Sequence, residues 1–257
     1  MYTFSSLSSI LQAFIATLFT YSLTALGASL VFFFKNINKR IMDCFMGVAS
    51  GVMIAAAFWS LLQPALELCD QINISKIYCC IGFFIGGVFI IGSDLLMNRF
   101  SKIENTKKKE FLLFKSVTLH NIPEGLAVGV AFGSLAISGS GVSLLGAISI
   151  AVAIAIQNFP EGACVSLPLR SEGCSRKKAF FYGQLSGVVE PVAGVLGAVF
   201  VLVSKNIMPH LLSFSAGAMI AVVCSELIPD AFKENKNIAN LSVLIGFLIM
   251  MILEIVL

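Results

Sequence analysis

The chain has 257 residues, of which 58% are hydrophobic and only 12% are charged, and its formal net charge is +3. Soluble domains carry about 25% charged residues, so the composition excludes an ordinary soluble domain and indicates a protein that crosses a membrane several times. Because the net charge is small, the placement of the basic residues along the chain is more informative than their sum.

Eight apolar stretches have about the length, roughly 20 residues, that is needed to cross the hydrocarbon core of a bilayer. They predict an all-α integral membrane protein with eight transmembrane helices in a single domain covering residues 1–257. The predicted helices, numbered 1 to 8 in chain order, are approximately 8–34, 43–66, 77–97, 114–137, 142–168, 179–204, 207–230 and 238–257.

The charges around helix 1 indicate its orientation. The first 34 residues carry no charge, and Lys35, Lys39 and Arg40 follow them. A secretory signal carries its positive charge before its apolar core. We therefore predict a retained helix whose N-terminus is outside the cell.

The other Lys and Arg residues support that orientation. With the N-terminus outside, the loops after helices 1, 3, 5 and 7 are cytoplasmic, and these loops with their flanks hold 15 of the 17 basic residues. Lys76 and Lys205 are the two exceptions. The positive-inside rule therefore predicts a multi-pass protein of the cell membrane with both termini extracellular. Basic runs that act as topology signals need no nucleic-acid partner.

Two connections differ in character. Residues 102–110 are strongly polar and predict a short cytoplasmic loop between helices 3 and 4. Ser138–Gly141, by contrast, is a very short link, which makes helices 4 and 5 antiparallel neighbours.

A weak internal repeat relates helices 2 and 7. Residues 51–65 and 217–231 are identical at six of 15 positions, with Ser60 aligned to Glu226. The two helices run in opposite directions in the predicted topology, so the match favours an inverted repeat, which in transporters often has a binding site at its interface. The alternative is convergence on small apolar residues for helix packing.

The most informative pattern is a six-residue motif that occurs twice inside apolar helices. Residues 120–125 read HNIPEG, and residues 157–162 read QNFPEG. An acidic side chain at the centre of a membrane costs about 2.5 to 3.5 kcal/mol, and a proline inside a helix removes a backbone hydrogen bond. Because both costs occur twice in the same order, we predict a polar site inside the membrane.

The spacing brings the polar side chains of each motif together, since residues three or four apart share a helical face. Counted from the Ser138–Gly141 link at about 1.5 Å per residue, Glu124 and Gln157 lie roughly 21 and 24 Å deep, so the two motifs are predicted to face each other. The clusters are His120, Asn121 and Glu124 on helix 4, and Gln157, Asn158 and Glu161 on helix 5.

One imidazole, two carboxylates and several amide oxygens form a mixed nitrogen and oxygen donor set. Such a set favours a borderline divalent cation such as Zn²⁺, with Cd²⁺, Fe²⁺ and Mn²⁺ as alternatives. Glu190, beside Pro191 in helix 6, is a further carboxylate that would extend the site to two ions. The alternative interpretation is a hydrogen-bonded polar cluster that only holds helices 4 and 5 together.

The seven cysteines are scattered, odd in number and without a CxxC pair, so they form neither a disulfide framework nor a zinc-finger site. Cys164 has the one notable position, three residues beyond Glu161 on the same helical face.

With these motifs the chain resembles the ZIP (Zrt/Irt-like) divalent metal transporters, most closely their GufA-type branch. The similarity covers nearly the whole chain and includes GQLSGVVEP, FWSLLQPALE and SAGAMIAVVCSELIP. It implies eight helices in a 3+2+3 inverted-repeat arrangement, often dimeric, and uptake of zinc or a similar ion into the cytoplasm through a site between helices 4 and 5. The implied partners are membrane lipids and the transported ion, which is cargo and not a cofactor.

The resemblance also implies roles for individual residues. Met53 and Ser60 would line the pocket from helix 2, Glu67 would lie at the outer entrance, and Glu226 would lie toward the inner exit. Asn158 stands where some members have aspartate, which weakens a second metal position. The implied metal ligands are His120, Asn121, Glu124, Gln157, Asn158, Glu161 and Glu190.

We therefore predict a divalent metal transporter, not an enzyme, that moves Zn²⁺ inward. A cation/proton antiporter that uses the carboxylates alone is the first alternative. An intramembrane zinc enzyme is the second, although the chain has no HExxH motif and His120 is the one histidine deep in a helix, whereas a catalytic zinc usually has three strong protein ligands. The sequence is compatible with one or two ions at the site and with a carrier or a channel.

Overall fold

The computed structural model of the chain describes residues 2–34, 38–100, 121–137, 142–171 and 173–256. Within these ranges the regular structure is helical, and seven helices are long and apolar enough to cross a membrane. Residues 121–134 are helical as well and belong to helix 4. The other helices are helix 1 (Ser9–Phe32), helix 2 (Lys39–Gln71), helix 3 (Ile77–Phe100), helix 5 (Leu144–Ser171), helix 6 (Arg176–Val203), helix 7 (Met208–Ala231) and helix 8 (Lys236–Val256).

Each predicted helix has a counterpart, and the differences are at the ends. Helix 2 starts at Lys39 instead of 43 and ends at Gln71 instead of 66, because polar residues continue a helix beyond the apolar segment, and the side chain of Asn38 caps its start. A short helix, Tyr2–Ser5, precedes helix 1 and was not predicted. The start of helix 4, the 102–110 loop and the Ser138–Gly141 link lie outside the described residues.

The helices pack in pairs that repeat. Helix 3 packs along helix 7 in the same way as helix 8 packs along helix 2, and helix 1 contacts both helix 5 and helix 6. In the first two helix pairs, two glycines face each other across the contact: Gly217 with Gly86, and Gly51 with Gly246. A Cβ atom added to any of these glycines would overlap a backbone carbonyl oxygen of the partner helix. In each case that oxygen belongs to the residue three positions before the facing glycine.

Helices 2 and 7 also widen into a π-helical turn at matching places. The turn covers Ala57–Leu62 in helix 2 and Val223–Leu227 in helix 7, and each precedes a proline, Pro64 or Pro229. The start of helix 2 lies near the end of helix 7, so the two helices run in opposite directions. The shared turn and the repeated packing confirm the predicted inverted repeat.

The repeat alignment changes register at these turns. The turn of helix 2 has six residues and that of helix 7 has five. The residues after the turns therefore align with an offset that is one residue smaller than before them, which pairs Pro64 with Pro229. Ser60 and Glu226 are each the fourth residue of their turn, so the alignment of these two residues is retained.

Helices 3 and 8 lie at the periphery of the bundle. The most apolar segment of each is 22% buried, compared with 61% for helix 2. Their exposed side chains are large and apolar, for example Phe84, Ile85 and Leu244. These two helices therefore present the broadest surfaces to lipid, while the polar motifs lie in the interior.

Candidate metal site

The two motifs exchange hydrogen bonds across helices 4 and 5. Gln157 Nε2 donates to Glu124 Oε1 at 2.6 Å, and Asn121 Nδ2 donates to Glu161 Oε1 at 3.1 Å. Helix 5 continues through Pro160, so the second motif lies inside a helix, as predicted. The side chains of Asn121, Glu124 and Gln157 are almost completely buried. The structure therefore brings the two motifs into direct contact.

Glu190 of helix 6 joins this cluster through Asn158. The Nδ2 atom of Asn158 lies 2.9 and 3.0 Å from the two carboxylate oxygens of Glu190. From helix 1, Thr20 Oγ1 donates to Oε2 at 2.5 Å, and Thr24 Oγ1 donates to Oε1 at 3.5 Å. Both oxygens of Glu190 are therefore occupied as hydrogen-bond acceptors by described side chains.

Glu124, by contrast, has one carboxylate oxygen without a hydrogen-bond partner among the described residues. This atom, Oε2, is buried, and so are two amide oxygens of the same cluster that also lack a described partner, Gln157 Oε1 and Asn158 Oδ1. Such groups are rare in folded proteins, because an unpaired buried acceptor costs about 1 to 3 kcal/mol. Carboxylate and amide oxygens are ligands for divalent cations, so the unpaired acceptors indicate a place for a cation.

A cavity of about 60 Å³, which we call the central cavity, exposes part of this cluster. Glu124, Gln157 and Glu161 line it from helices 4 and 5, Met53 lines it from helix 2, and Glu226 lines it from helix 7. With Asp230 of helix 7, four carboxyl groups surround this small space, which suits a positively charged ion. The other predicted ligands, Asn121, Asn158 and Glu190, are not among the described residues that line it.

A second cavity of about 150 Å³, the outer cavity, lies near the ends of helices 2, 5 and 8. Ser60, Glu67 and Glu254 line it, and Ser60 Oγ donates to Glu254 Oε2 at 3.4 Å. Met53 and Ser60 were expected to line one pocket from a shared face of helix 2. They line different cavities, Met53 the central one and Ser60 the outer one, since they lie about 10 Å apart along the helix axis.

Apolar residues separate the outer cavity from the central cavity. Four helices contribute residues to both cavities. On each of these helices, buried apolar side chains lie between the residue that lines the outer cavity and the residue that lines the central cavity. These are Ala56 and Ala57 on helix 2, Val128 on helix 4, Ile154 on helix 5, and Ala216 and Met219 on helix 7.

The other side of the central cavity is continuous with a larger space. A cavity of about 460 Å³, the mouth cavity, shares Met46, Cys164 and Asp230 with the central cavity. Lys39 and Glu234 form an ion pair on its rim, with Nζ and Oε1 3.1 Å apart. The structure therefore connects the central cavity to one end of the bundle and closes it toward the other.

In the part of the chain that the structure describes, no group of three or more His, Cys, Asp and Glu side chains is arranged to hold a metal ion. His120 lies outside the described residues. The close contacts of Glu124 and Glu161 are instead with amide side chains, Gln157 and Asn121. The assignment of these residues as metal ligands therefore stays a prediction.

Sequence reasoning missed the threonines of helix 1. Thr17, Thr20 and Thr24 are fully buried, and the last two bind Glu190. Their spacing of three and four residues places them on one helical face. That regular polar stripe in an otherwise apolar helix was the available signal.

Comparison with known proteins gives one consistent result. The family model described as ZIP Zinc transporter matches residues 99–254. Zinc transporter ZIP11 of Homo sapiens is 34% identical, with 96% of this chain and 98% of that protein covered. Zinc transporter GufA of Myxococcus xanthus is 31% identical, with 93% of this chain and 96% of that protein covered. Zinc transporter ZIPB of Bordetella bronchiseptica is 30% identical, with 91% of this chain and 77% of that protein covered.

Proposed function

The chain belongs to the ZIP zinc transporter family and transports zinc across a membrane, and we propose that the ion binds in the central cavity between helices 4 and 5 on its way into the cytoplasm. The observation that carries this proposal is the pair of buried oxygens, Glu124 Oε2 and Gln157 Oε1, that lack a hydrogen-bond partner among the described residues. Zinc uptake into vesicles that contain the purified protein, with and without the two glutamates, tests it.

Binding exchanges hydrogen bonds for metal ligands. In the structure, the amide group of Gln157 donates to Glu124, and that of Asn121 donates to Glu161. A zinc ion bound about 2.0 to 2.2 Å from carboxylate oxygens replaces those donors, while the two negative charges neutralise it. Because the amides return to the carboxylates when the ion leaves, release does not leave bare charges in the membrane. His120, by its place in the motif, supplies a nitrogen ligand.

A single ion is proposed at this site. The side-chain amide of Asn158 donates to both carboxylate oxygens of Glu190. An aspartate at position 158 would instead offer further oxygens to a cation. A second cation near Glu190 would displace this donor and the hydroxyl groups of Thr20 and Thr24. Glu190 is therefore proposed to orient helices 1, 5 and 6, and it contributes to zinc binding through its charge.

Asn158→Asp is expected to raise zinc binding from one ion to two per chain. The substitution removes the N–H donor and sets a second carboxylate beside Glu190, so the pair needs a cation between them. Equilibrium dialysis with zinc analysis of the purified protein measures the ratio. Asn206→Asp, at an exposed position near the start of helix 7, is the matched control and should bind as the unmodified protein does. An unchanged ratio for Asn158→Asp contradicts the single-ion assignment.

The distribution of charge supports inward transport. Lys39 and Lys233 line the mouth cavity, and they flank the loops after helices 1 and 7, which are rich in basic residues. Lys76 lies in the loop after helix 2, at the opposite end of that helix. The positive-inside rule then makes the mouth cavity cytoplasmic and both termini extracellular. In this arrangement the described conformation is open to the cytoplasm, and a shift of the helices that hold the site would open it to the outer cavity.

Cysteine labelling tests that orientation. In a variant without its native cysteines, Ser75→Cys is expected to react in intact cells with a maleimide that does not cross membranes, and Lys177→Cys is expected to react only after the cells are opened. Ser75 is exposed in the loop after helix 2, and Lys177 is exposed in the first turn of helix 6. The reverse pattern contradicts the proposed direction of uptake.

The family match favours zinc over the alternative ions Cd²⁺, Fe²⁺ and Mn²⁺, and it favours transport over an antiporter driven by carboxylates alone or a zinc enzyme. Placement in the cell membrane and assembly as a homodimer are further proposals that rest on the family resemblance.

A further inference from the structure

The mouth cavity has an unbalanced charge. Its lining contains three acidic residues, Asp43, Asp230 and Glu234, and two basic residues, Lys39 and Lys233. Both basic side chains are engaged: Lys39 pairs with Glu234 at 3.1 Å, and Lys233 pairs with Asp230 at 2.5 Å. One acidic residue, Asp43, is left over among the described residues of this lining.

Asp43 is also the most unusual side chain of the cavity. It is only 5% exposed, although it belongs to the second turn of helix 2, and its Oδ2 atom has no hydrogen-bond partner among the described residues. A buried carboxylate oxygen without a partner is unfavourable, because it has lost hydration without gaining a compensating contact. A cation in the mouth cavity would supply that contact.

Sulfur atoms lie at the junction between the mouth cavity and the central cavity. Cys164 and Met46 line both cavities, and Met42 lines the mouth cavity. The Cys164 thiol lies 3.4 Å from the Met42 sulfur. Thiolate and thioether sulfurs favour soft and borderline metals over Mg²⁺ or Ca²⁺. Cys164 is also one helical turn beyond Glu161, so an ion that leaves the central cavity toward the mouth cavity passes close to it.

We propose that Cys164 and Asp43 form a second, transient binding site for a borderline or soft divalent cation, which receives the ion from Glu161 and releases it through the mouth cavity. This relay site rests on the proposed function of the central cavity. Binding transfers the thiol proton of Cys164 to water in the mouth cavity, and the thiolate and the Asp43 carboxylate then balance the two positive charges. The thioether of Met42 and water complete the coordination.

The small number of strong ligands is consistent with this role. A closed site with four protein ligands holds zinc tightly, which would stop the flow of ions. Two charged ligands, Cys164 at the junction and Asp43 in the mouth cavity, would hold the ion only briefly after it leaves the central cavity.

A cadmium titration tests the relay site. The protein is a variant in which the six other cysteines are replaced by alanine, purified and checked for zinc uptake. Cd²⁺ is expected to produce the ultraviolet charge-transfer absorption of a cadmium–thiolate bond, and Cys164→Ala is expected to remove it. Asp43→Asn should require at least about tenfold more Cd²⁺, a loss typical of weakened metal coordination. Asp70→Asn, an exposed position at the opposite end of helix 2, is the matched control and should titrate unchanged.

Three results overturn the relay site: no thiolate absorption with Cys164 as the sole cysteine, an Asp43→Asn titration that equals the control, or loss of the absorption in Glu124→Gln. The last result would make Cys164 a ligand of the central ion and would leave the proposed function intact. Conversely, thiolate absorption together with normal uptake by Glu124→Gln would support the relay site and contradict the central one. If the single-cysteine variant does not transport zinc, the same titration compares the unmodified protein with Cys164→Ala, with Cys44→Ala as control.

Discussion

Glu124→Gln is expected to lower zinc uptake at least about a hundredfold, and Glu161→Gln is expected to have an effect of the same order. Each substitution keeps the size of the side chain and removes one of the two charges that neutralise the ion. Removing one partner of a buried charge pair costs about 3 to 5 kcal/mol, and each 1.4 kcal/mol is a tenfold change in binding.

The folded state should survive these substitutions. Glu124 is fully buried and has one oxygen bonded to Gln157 and one without a partner. An amide at this position still bonds to Gln157 and no longer carries a negative charge into the membrane. The thermal unfolding temperature is therefore expected to stay the same or rise, which separates loss of function from loss of structure.

Glu234→Gln is the matched control for this pair. Glu234 lies on the rim of the mouth cavity with 43% of its side chain exposed, in an ion pair with Lys39. Exposed ion pairs contribute about 0 to 1 kcal/mol, so uptake should remain close to that of the unmodified protein. Normal uptake by both Glu124→Gln and Glu161→Gln would contradict the proposed site.

Gly125→Ala is expected to destabilise the protein and to abolish uptake with it. Gly125 follows Glu124 in the first motif, and helix 6 passes directly against it. A Cβ at this position would lie 2.5 Å from the carbonyl oxygen and 2.8 Å from the Cα atom of Glu190. These are backbone atoms, so the contact cannot be relieved by a rotamer change, and helices 4 and 6 must separate. Overpacking of this kind costs about 1 to 3 kcal/mol or more.

A thermal unfolding scan of the purified protein measures this effect. Gly92→Ala on helix 3 is the control, because a Cβ there would meet nothing within 4 Å. Alanine is also the better helix former, so Gly92→Ala should leave the unfolding temperature unchanged or raise it. Equal unfolding temperatures for the two variants would contradict the close packing of helix 6 against the first motif.

Much of the fold follows from the length of the apolar segments. A transmembrane helix needs a continuous apolar run, and the chain contains eight, so the number of helices is set by local sequence. The inverted repeat was also detectable in the sequence, since Gly51 and Gly217 align and make equivalent packing contacts with neighbouring helices. The change of register at Ala57–Leu62 was not detectable, because a π-helical turn leaves the apolar composition of the segment unchanged.

The candidate site was predictable only in part. The motif spacing correctly placed Glu124 beside helix 5 and Glu161 beside helix 4. Periodicity within one helix could not show that Glu190 is held by Thr20 across helices 1 and 6, since that contact joins positions far apart in the chain. Nor could it show that Asp43, near the start of helix 2, is buried with one oxygen unpaired among the described residues, because its burial depends on neighbouring helices.

Anomalous diffraction from crystals grown with zinc tests the central claim most directly. Data collected on both sides of the zinc absorption edge locate the ion without reference to any assumed ligand. The central-cavity account predicts an anomalous peak between the carboxylates of Glu124 and Glu161, and its loss in crystals of Glu124→Gln. Zinc bound elsewhere in the bundle, with no peak in the central cavity, would contradict it.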